Sequence, residues 1–150
     1  GLLKQEPAPE LTQLRAGNAA SRSNVVIQNQ AIPLDEVAGD MLEVQFTLDL
    51  GTASEAGIKL RQSPTEDKSA VILVRAGELE VAGAKASLPS SEGPIVVRAF
   101  LDRSVLEVFV GDKVVLTKVI QTKPQDLGVS LFSKGGSATF ASVKIWKLSL

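Results

Sequence analysis

The chain has 150 residues, a formal net charge of −1 and a 44% hydrophobic fraction, enough for one domain with a sizeable core. The near-zero charge speaks against a nucleic-acid binder, and no apolar run approaches the roughly 18 residues that cross a bilayer as a helix. Cys, His and Tyr are absent, which excludes disulfides, thiolate zinc sites and histidine acid–base chemistry.

In chain order, the opening stretch to about Gly17 carries Pro7 and Pro9 and reads as an interdomain connector, with one helical turn expected over Glu10 to Arg15. The domain proper is then residues 18–150. From about residue 23 the pattern is that of strands. Leu42, Val44, Phe46, Leu48 and Leu50 alternate with Glu43, Gln45, Thr47 and Asp49, a period of two with one face in a core and one in water. Further strands are expected at Asn24–Gln28, Gly57–Gln62, Ala70–Arg75, Glu78–Val81, Ile95–Leu101, Val105–Val110, Lys113–Ile120, Gly128–Phe132 and Ala138–Leu148. Turn residues separate them, among them Gly51, Ser63-Pro64, Gly77, Gly111-Asp112 and Gly135-Gly136. About ten short strands spaced by turns predict an all-β fold, a two-sheet antiparallel β-sandwich or a barrel.

Two hairpins give a trial register. A turn at Asp102-Arg103 sets Arg98 opposite Glu107, and one at Gly111-Asp112 sets Glu107 opposite Leu116. One face then carries Val97, Ala99, Leu106, Val108, Val110, Val115 and Thr117 and should be core. The other carries Val96, Arg98, Phe100, Val105, Glu107, Phe109, Val114 and Leu116, apolar with one charge pair. A sheet apolar on both sides is covered on both, by this chain or by another domain.

The charges give few sites. Arg98 and Glu107 read as a cross-strand ion pair. A glycosidase role needs a second carboxyl across the scissile bond, and that face has none. Asp35-Glu36 and Glu66-Asp67 read as solvated loops, so no metal or other cofactor is expected. Lys134-Gly135-Gly136-Ser137 lies between strands, which makes it a hairpin turn and not a phosphate cradle. Trp146 in the last strand reads as packing.

Three segments together carry a family likeness. They are Val97–Thr117 (VRAFLDRSVLEVFVGDKVVLT), Gly128–Leu148 (GVSLFSKGGSATFASVKIWKL) and Gln5–Arg15 (QEPAPELTQLR). In this order they resemble the C-terminal β-sandwich of glycoside hydrolase family 32, the invertases, levanases, inulinases and fructosidases. The likeness is weakest between about Gly51 and Pro94, where LEVAGAKAS stands in place of the family's Asp-Arg pair. The resemblance implies a concanavalin A-like jelly roll beside a five-bladed catalytic propeller. It implies that the chemistry resides in Asn-Asp-Pro, Arg-Asp-Pro and Glu-Cys motifs, none of which occurs here. No catalytic residue carries over. Asp102, Arg103, Ser104, Glu107, Phe109, Gly135, Gly136 and Trp146 match the family pattern and are read as turn and packing positions.

The implied function is a non-catalytic accessory domain, a piece of a longer hydrolase acting on sucrose or fructans. Its partner is the propeller, which it stabilises, with subunit contacts or self-association as a further role, fructan binding weak at most, and no nucleic acid or membrane. The compartment stays open, a secreted or periplasmic parent being one option. The alternative is a lectin-like carbohydrate-binding module, which the 4% aromatic content disfavours. Leu2, Leu3, Leu11 and Leu14, and the sheet face around Phe100 and Phe109, are the apolar surfaces a missing propeller should leave uncovered.

Overall fold

The computed structural model describes residues 14–89, 93–111 and 114–149, without the side chains of Val114 and Val115. Twelve strands occur among them: β1 (Arg15–Gln28), β2 (Ala31–Pro33), β3 (Met41–Asp49), β4 (Glu55–Gln62), β5 (Ala70–Arg75), β6 (Glu78–Val81), β7 (Ala84–Ser87), β8 (Ile95–Asp102), β9 (Val105–Val110), β10 (Val114–Val119), β11 (Gly128–Lys134) and β12 (Ser137–Leu148). They form two six-stranded sheets. Sheet A has the order β1-β12-β3-β8-β9-β10 and sheet B the order β2-β11-β4-β5-β6-β7, with every pairing antiparallel. The expected two-sheet sandwich is thus the fold.

The core fills the space between the sheets. On β3 the alternating Leu42, Val44, Phe46 and Leu48 are buried, and Phe46 meets Phe140 of β12 edge to face, ring centroids 5.6 Å apart. Sheet B contributes Ala56, Ile58, Leu60, Ile72 and Leu131. Side chains of this size stabilise by about 1.5–3 kcal/mol each when fully buried, so the period-two pattern is the main determinant of the fold.

The structure departs from the sequence expectation at the edges. β2 and β7 were not anticipated, and they are the two edges of sheet B. Three residues ending in Pro33, and the small, polar Ala84–Ser87, carry little strand propensity. Short edges of this kind discourage pairing with other chains. β1 starts at Arg15, not near residue 23, so Arg15 is extended and not in a helical turn; residues 10–13 of that expected turn lie outside the described residues, as do Leu2, Leu3 and Leu11. The early part of β1 lacks alternation because it edges sheet A and shifts register between Ala16 and Ala20. Its first rung joins Arg15 to Leu148, and the Ser149 amide donates to the Leu14 carbonyl at 2.8 Å.

Both trial hairpin registers are corrected. The β8–β9 turn is Arg103-Ser104, with Asp102 opposite Val105. Arg103 takes a positive φ of 54° and its amide donates to the Asp40 carbonyl at 2.7 Å. Moving the turn by one residue slides the pairing but keeps each residue on its face, so Val97, Ala99, Leu106 and Val108 are core as expected. The β9–β10 connection is longer. Val110 pairs with Val114, so three residues turn the chain, starting at Gly111 with φ 57°. That change of one residue inverts the faces of β10. Leu116 pairs with Val108 and packs on the core, and Thr117 lies opposite Glu107. Asp112, Lys113 and the side chains assigned to Val114 and Val115 lie outside the described ones.

Candidate functional site

The outer face of sheet A gathers Arg98, Glu107, Phe109 and Trp146. One rung runs Trp146, Glu43, Phe100, Glu107, Thr117 across β12, β3, β8, β9 and β10. The next runs Lys144, Gln45, Arg98, Phe109. Arg98 and Glu107 are therefore not opposite each other. Arg98 faces Phe109, and its Nη2 lies 3.7 Å from Oε2 of Glu43. The expected Arg98–Glu107 pair is replaced by a cluster centred on Glu43, because moving the turn by one residue slid the pairing by two.

Glu43 was expected in water and is fully buried (0% exposed). Arg15, from the start of β1, holds it with both prongs: Nε donates to Oε1 at 2.7 Å and Nη2 to Oε2 at 2.6 Å. Gln45 Nε2 adds a third bond at 3.2 Å. Bidentate pairing fixes the carboxylate in a single orientation. The same hydrogen bonds raise the Arg15 pKa above its ordinary value, so its charge is permanent. The Arg15 guanidinium also lies 3.7 Å above the Trp146 ring centroid, a cation–π contact. Two cations share one anion, and Arg98 Nε is buried with no hydrogen-bond partner.

Phe100 and Phe109 stand beside this cluster as a perpendicular pair with centroids 6.3 Å apart. They are 7% and 5% exposed, so the expected open patch around them is not there. Among the described residues the exposed large apolar side chains are Val26, Val96, Val105 and Val119, of which Val105 and Val119 pair across β9 and β10.

The remaining pattern residues sit elsewhere. Asp102 and Arg103 are exposed at the β8–β9 turn, 3.9 Å apart, and the Ser104 carbonyl accepts from the Ile120 amide at 2.7 Å. Gly135 and Gly136 form the β11–β12 turn, at the opposite end of β12 from Trp146. The Gly135 amide donates to Asn29 Oδ1 at 3.1 Å, and the Gly136 carbonyl accepts from the Asn29 amide at 3.0 Å. A side chain at Gly136 would strike the Thr52 carbonyl. These glycine groups are consumed by the protein's own loops, which fits a turn and not a ligand cradle.

Sequence reasoning missed Arg15 and Glu43. Each looks like an ordinary surface charge locally, and the partnership spans 28 residues. Among the described residues no group of three metal-ligating side chains occurs, and no helix is long and apolar enough to cross a membrane.

Comparison with known proteins gives this face a context. The chain is 26% identical over 126 residues to the levanbiose-producing levanase of Bacillus subtilis (strain 168), covering 73% of this chain and 24% of that protein. It is 26% identical over 154 residues to the sucrose-6-phosphate hydrolase of Escherichia coli, covering 99% of this chain and 32% of that one. Among solved structures, the exo-inulinase of Aspergillus awamori superposes with a TM-score of 0.85 at 20% identity, covering 97% of this chain and 32% of that chain. Fructan 1-exohydrolase IIa of Cichorium intybus gives 0.81 at 16% identity, covering 99% and 38%. The chain thus spans about a quarter to a third of the curated relatives it matches. The family described as "Glycosyl hydrolases family 32 C terminal" matches residues 10–147, nearly the whole described fold, and the chain belongs to it.

Proposed function

We propose that this chain is the non-catalytic β-sandwich of a glycoside hydrolase acting on sucrose or fructans, and that the outer face of sheet A is where it bears on the catalytic propeller. One observation carries the reading: a match to the C-terminal family over residues 10–147 in a chain that spans only 24% and 32% of its curated relatives. The substrate class is taken from those relatives, a levanase and a sucrose-6-phosphate hydrolase.

The chemistry of the face supports it. Arg15 and Arg98, each about 30% exposed above a buried Glu43 and the buried Phe100–Phe109 pair, give this face a rigid, mixed character. Interfaces between domains of one chain are of this polar–apolar kind. Arg15 opens β1, so the first strand of the sandwich starts at the cluster it helps to build.

The test is the coding sequence upstream of Gly1, together with a variant. The expected result is a propeller carrying the Asn-Asp-Pro, Arg-Asp-Pro and Glu-Cys motifs, and a parent enzyme whose thermal inactivation is faster in Arg98→Ala. An unrelated upstream domain refutes the reading.

A further inference from the structure

The outer face of sheet B holds a cleft of about 870 Å³, within the range of small-ligand sites. The register builds it rung by rung. Lys134, Glu55, Arg75 and Glu78 form one rung across β11, β4, β5 and β6, and Phe132, Gly57, Leu73 and Glu80 form the next. Gly57 places no side chain between Phe132 and Leu73. A Cβ there would drive into the Ile72 carbonyl, so β4 and β5 approach closely and the floor is low. That floor is apolar, and it is covered by its own walls. Lys59 lies with its Nζ 5.5 Å from the Phe132 ring centroid, a flexible stem that can swing aside.

The walls are fixed. The Arg75 guanidinium donates to Glu55 at 2.9 Å, Glu78 at 2.7 Å and Glu80 at 3.2 Å. At the other end, Arg61 is only 4% exposed. Its Nη2 donates to Thr122 Oγ1 at 2.8 Å and to the Lys123 carbonyl at 2.9 Å, Nη1 lies 3.6 Å from Asp40 Oδ2 outside the cleft, and Nε has no hydrogen-bond partner. A buried guanidinium with N–H groups left open is costly unless something accepts from it. Cationic and carboxylate side chains line the cleft in nearly equal numbers. Such a lining gives no field to select an anion or a cation, but many oriented donors and acceptors.

A low apolar floor between fixed donor–acceptor pairs suits a neutral polyhydroxylated ligand. We infer that this cleft is a low-affinity site for a sugar chain. Arg75 and its carboxylates hydrogen-bond ring hydroxyls, Arg61 donates its Nε–H to a hydroxyl oxygen at the far end, and Phe132 becomes the stacking floor once Lys59 moves. The two sheets present their outer faces in opposite directions, so the cleft stays open while sheet A is docked. That the chain is a fructan rests on the proposed parent activity.

The test is a ¹H–¹⁵N titration of the 150-residue chain with inulin-type fructo-oligosaccharide to about 20 mM, and with cello-oligosaccharide to the same concentration. The expected result is saturable shifts at the amides of Gly57, Leu73, Arg75 and Phe132 with fructo-oligosaccharide, with a Kd of about 1–10 mM. Arg75→Gln should weaken binding at least about fivefold, and Lys59→Ala should tighten it about two- to fivefold by uncovering Phe132. If Arg75→Gln does not fold, Lys59→Ala carries the test. No saturable shift with either sugar, shifts confined to sheet A, or affinities unchanged in the variants overturn the cleft, leaving the accessory-domain reading to its own upstream test. Cleft shifts with cello-oligosaccharide alone keep the sugar site and overturn the fructan class.

Discussion

Glu43 is where a single side chain matters most. Removing it leaves Arg15 and Arg98 beside a desolvated strand with no anion between them. Both arginines keep about 30% of their surface and can partly rehydrate, so Glu43→Ala should cost about 2–3 kcal/mol, below the range for a wholly buried pair. Glu43→Gln keeps an acceptor and should lose about half as much. Glu107→Ala should cost about 1 kcal/mol or less. Urea midpoints order the three, and equal losses for Glu43→Ala and Glu107→Ala would show that the pairing was misassigned. A second residue-scale effect concerns acid. The Arg22 guanidinium grips both oxygens of Glu36, at 2.8 and 2.9 Å, and holds its carboxyl below the ordinary value. A carboxyl lowered in the folded state stabilises the fold above the unfolded pKa, and that stability is lost as pH falls through the folded one. The melting temperature should therefore fall less between about pH 7 and pH 3 in Arg22→Gln than in the wild type. Both groups are exposed, so the difference should be small and should fade at about 0.5 M salt. None of these partnerships is legible locally. The sequence marks Glu43, Glu36 and Glu107 alike as charges at strand or loop positions, and only the order of strands in the sheet tells them apart.

At the scale of elements, the strands with clear alternation were readable and the weak edges were not. β3 and β8 announce themselves through period two, whereas β7 has only small and polar residues and exists because β6 offers it a ladder. Register was harder still. The β9–β10 loop differs from its expected length by one residue, and that alone decides whether Leu116 faces the core. Glycine positions test the local geometry. Gly57→Ala places a methyl against the Ile72 carbonyl and should cost more than about 3 kcal/mol or prevent folding. Gly77, unlike Gly57, has a positive φ of 76° but opens into free space, and Gly77→Ala should cost about 1 kcal/mol. Chemical denaturation of both separates the close approach of β4 and β5 from backbone strain alone. If Gly57→Ala is as mild as Gly77→Ala, the low floor of the sheet B cleft is not a real constraint.

At the scale of the molecule, the chain should hydrolyse nothing by itself. Of the two carboxyls in one outer rung of sheet A, Glu43 has both oxygens held by Arg15 and no exposed surface, so it cannot reach a leaving group. Retaining and inverting mechanisms both need two working carboxyls across one bond. Incubation with sucrose, inulin and levan should release no reducing sugar above a blank, and sustained release by the pure chain would overturn this. The sandwich architecture was legible from strand spacing and turn residues. The two proposed faces were not, because each is assembled from strands far apart in sequence: β1, β3, β8, β9 and β12 for one, β4, β5, β6 and β11 for the other.

The bond between the Ser149 amide and the Leu14 carbonyl, followed by the rung from Arg15 to Leu148, has a mechanical meaning. β1 and β12 run antiparallel from that corner, so a force applied between residues 14 and 149 meets their hydrogen bonds end-on. It opens the ladder one rung at a time and never loads the rungs together in shear. Pulled through these two points, the sandwich should part at low force, with β1 peeling away first and drawing Arg15 off Glu43. A pull between residue 14 and the β11–β12 turn at Gly135 would instead load the β1–β12 ladder along its length, and should need a markedly larger force.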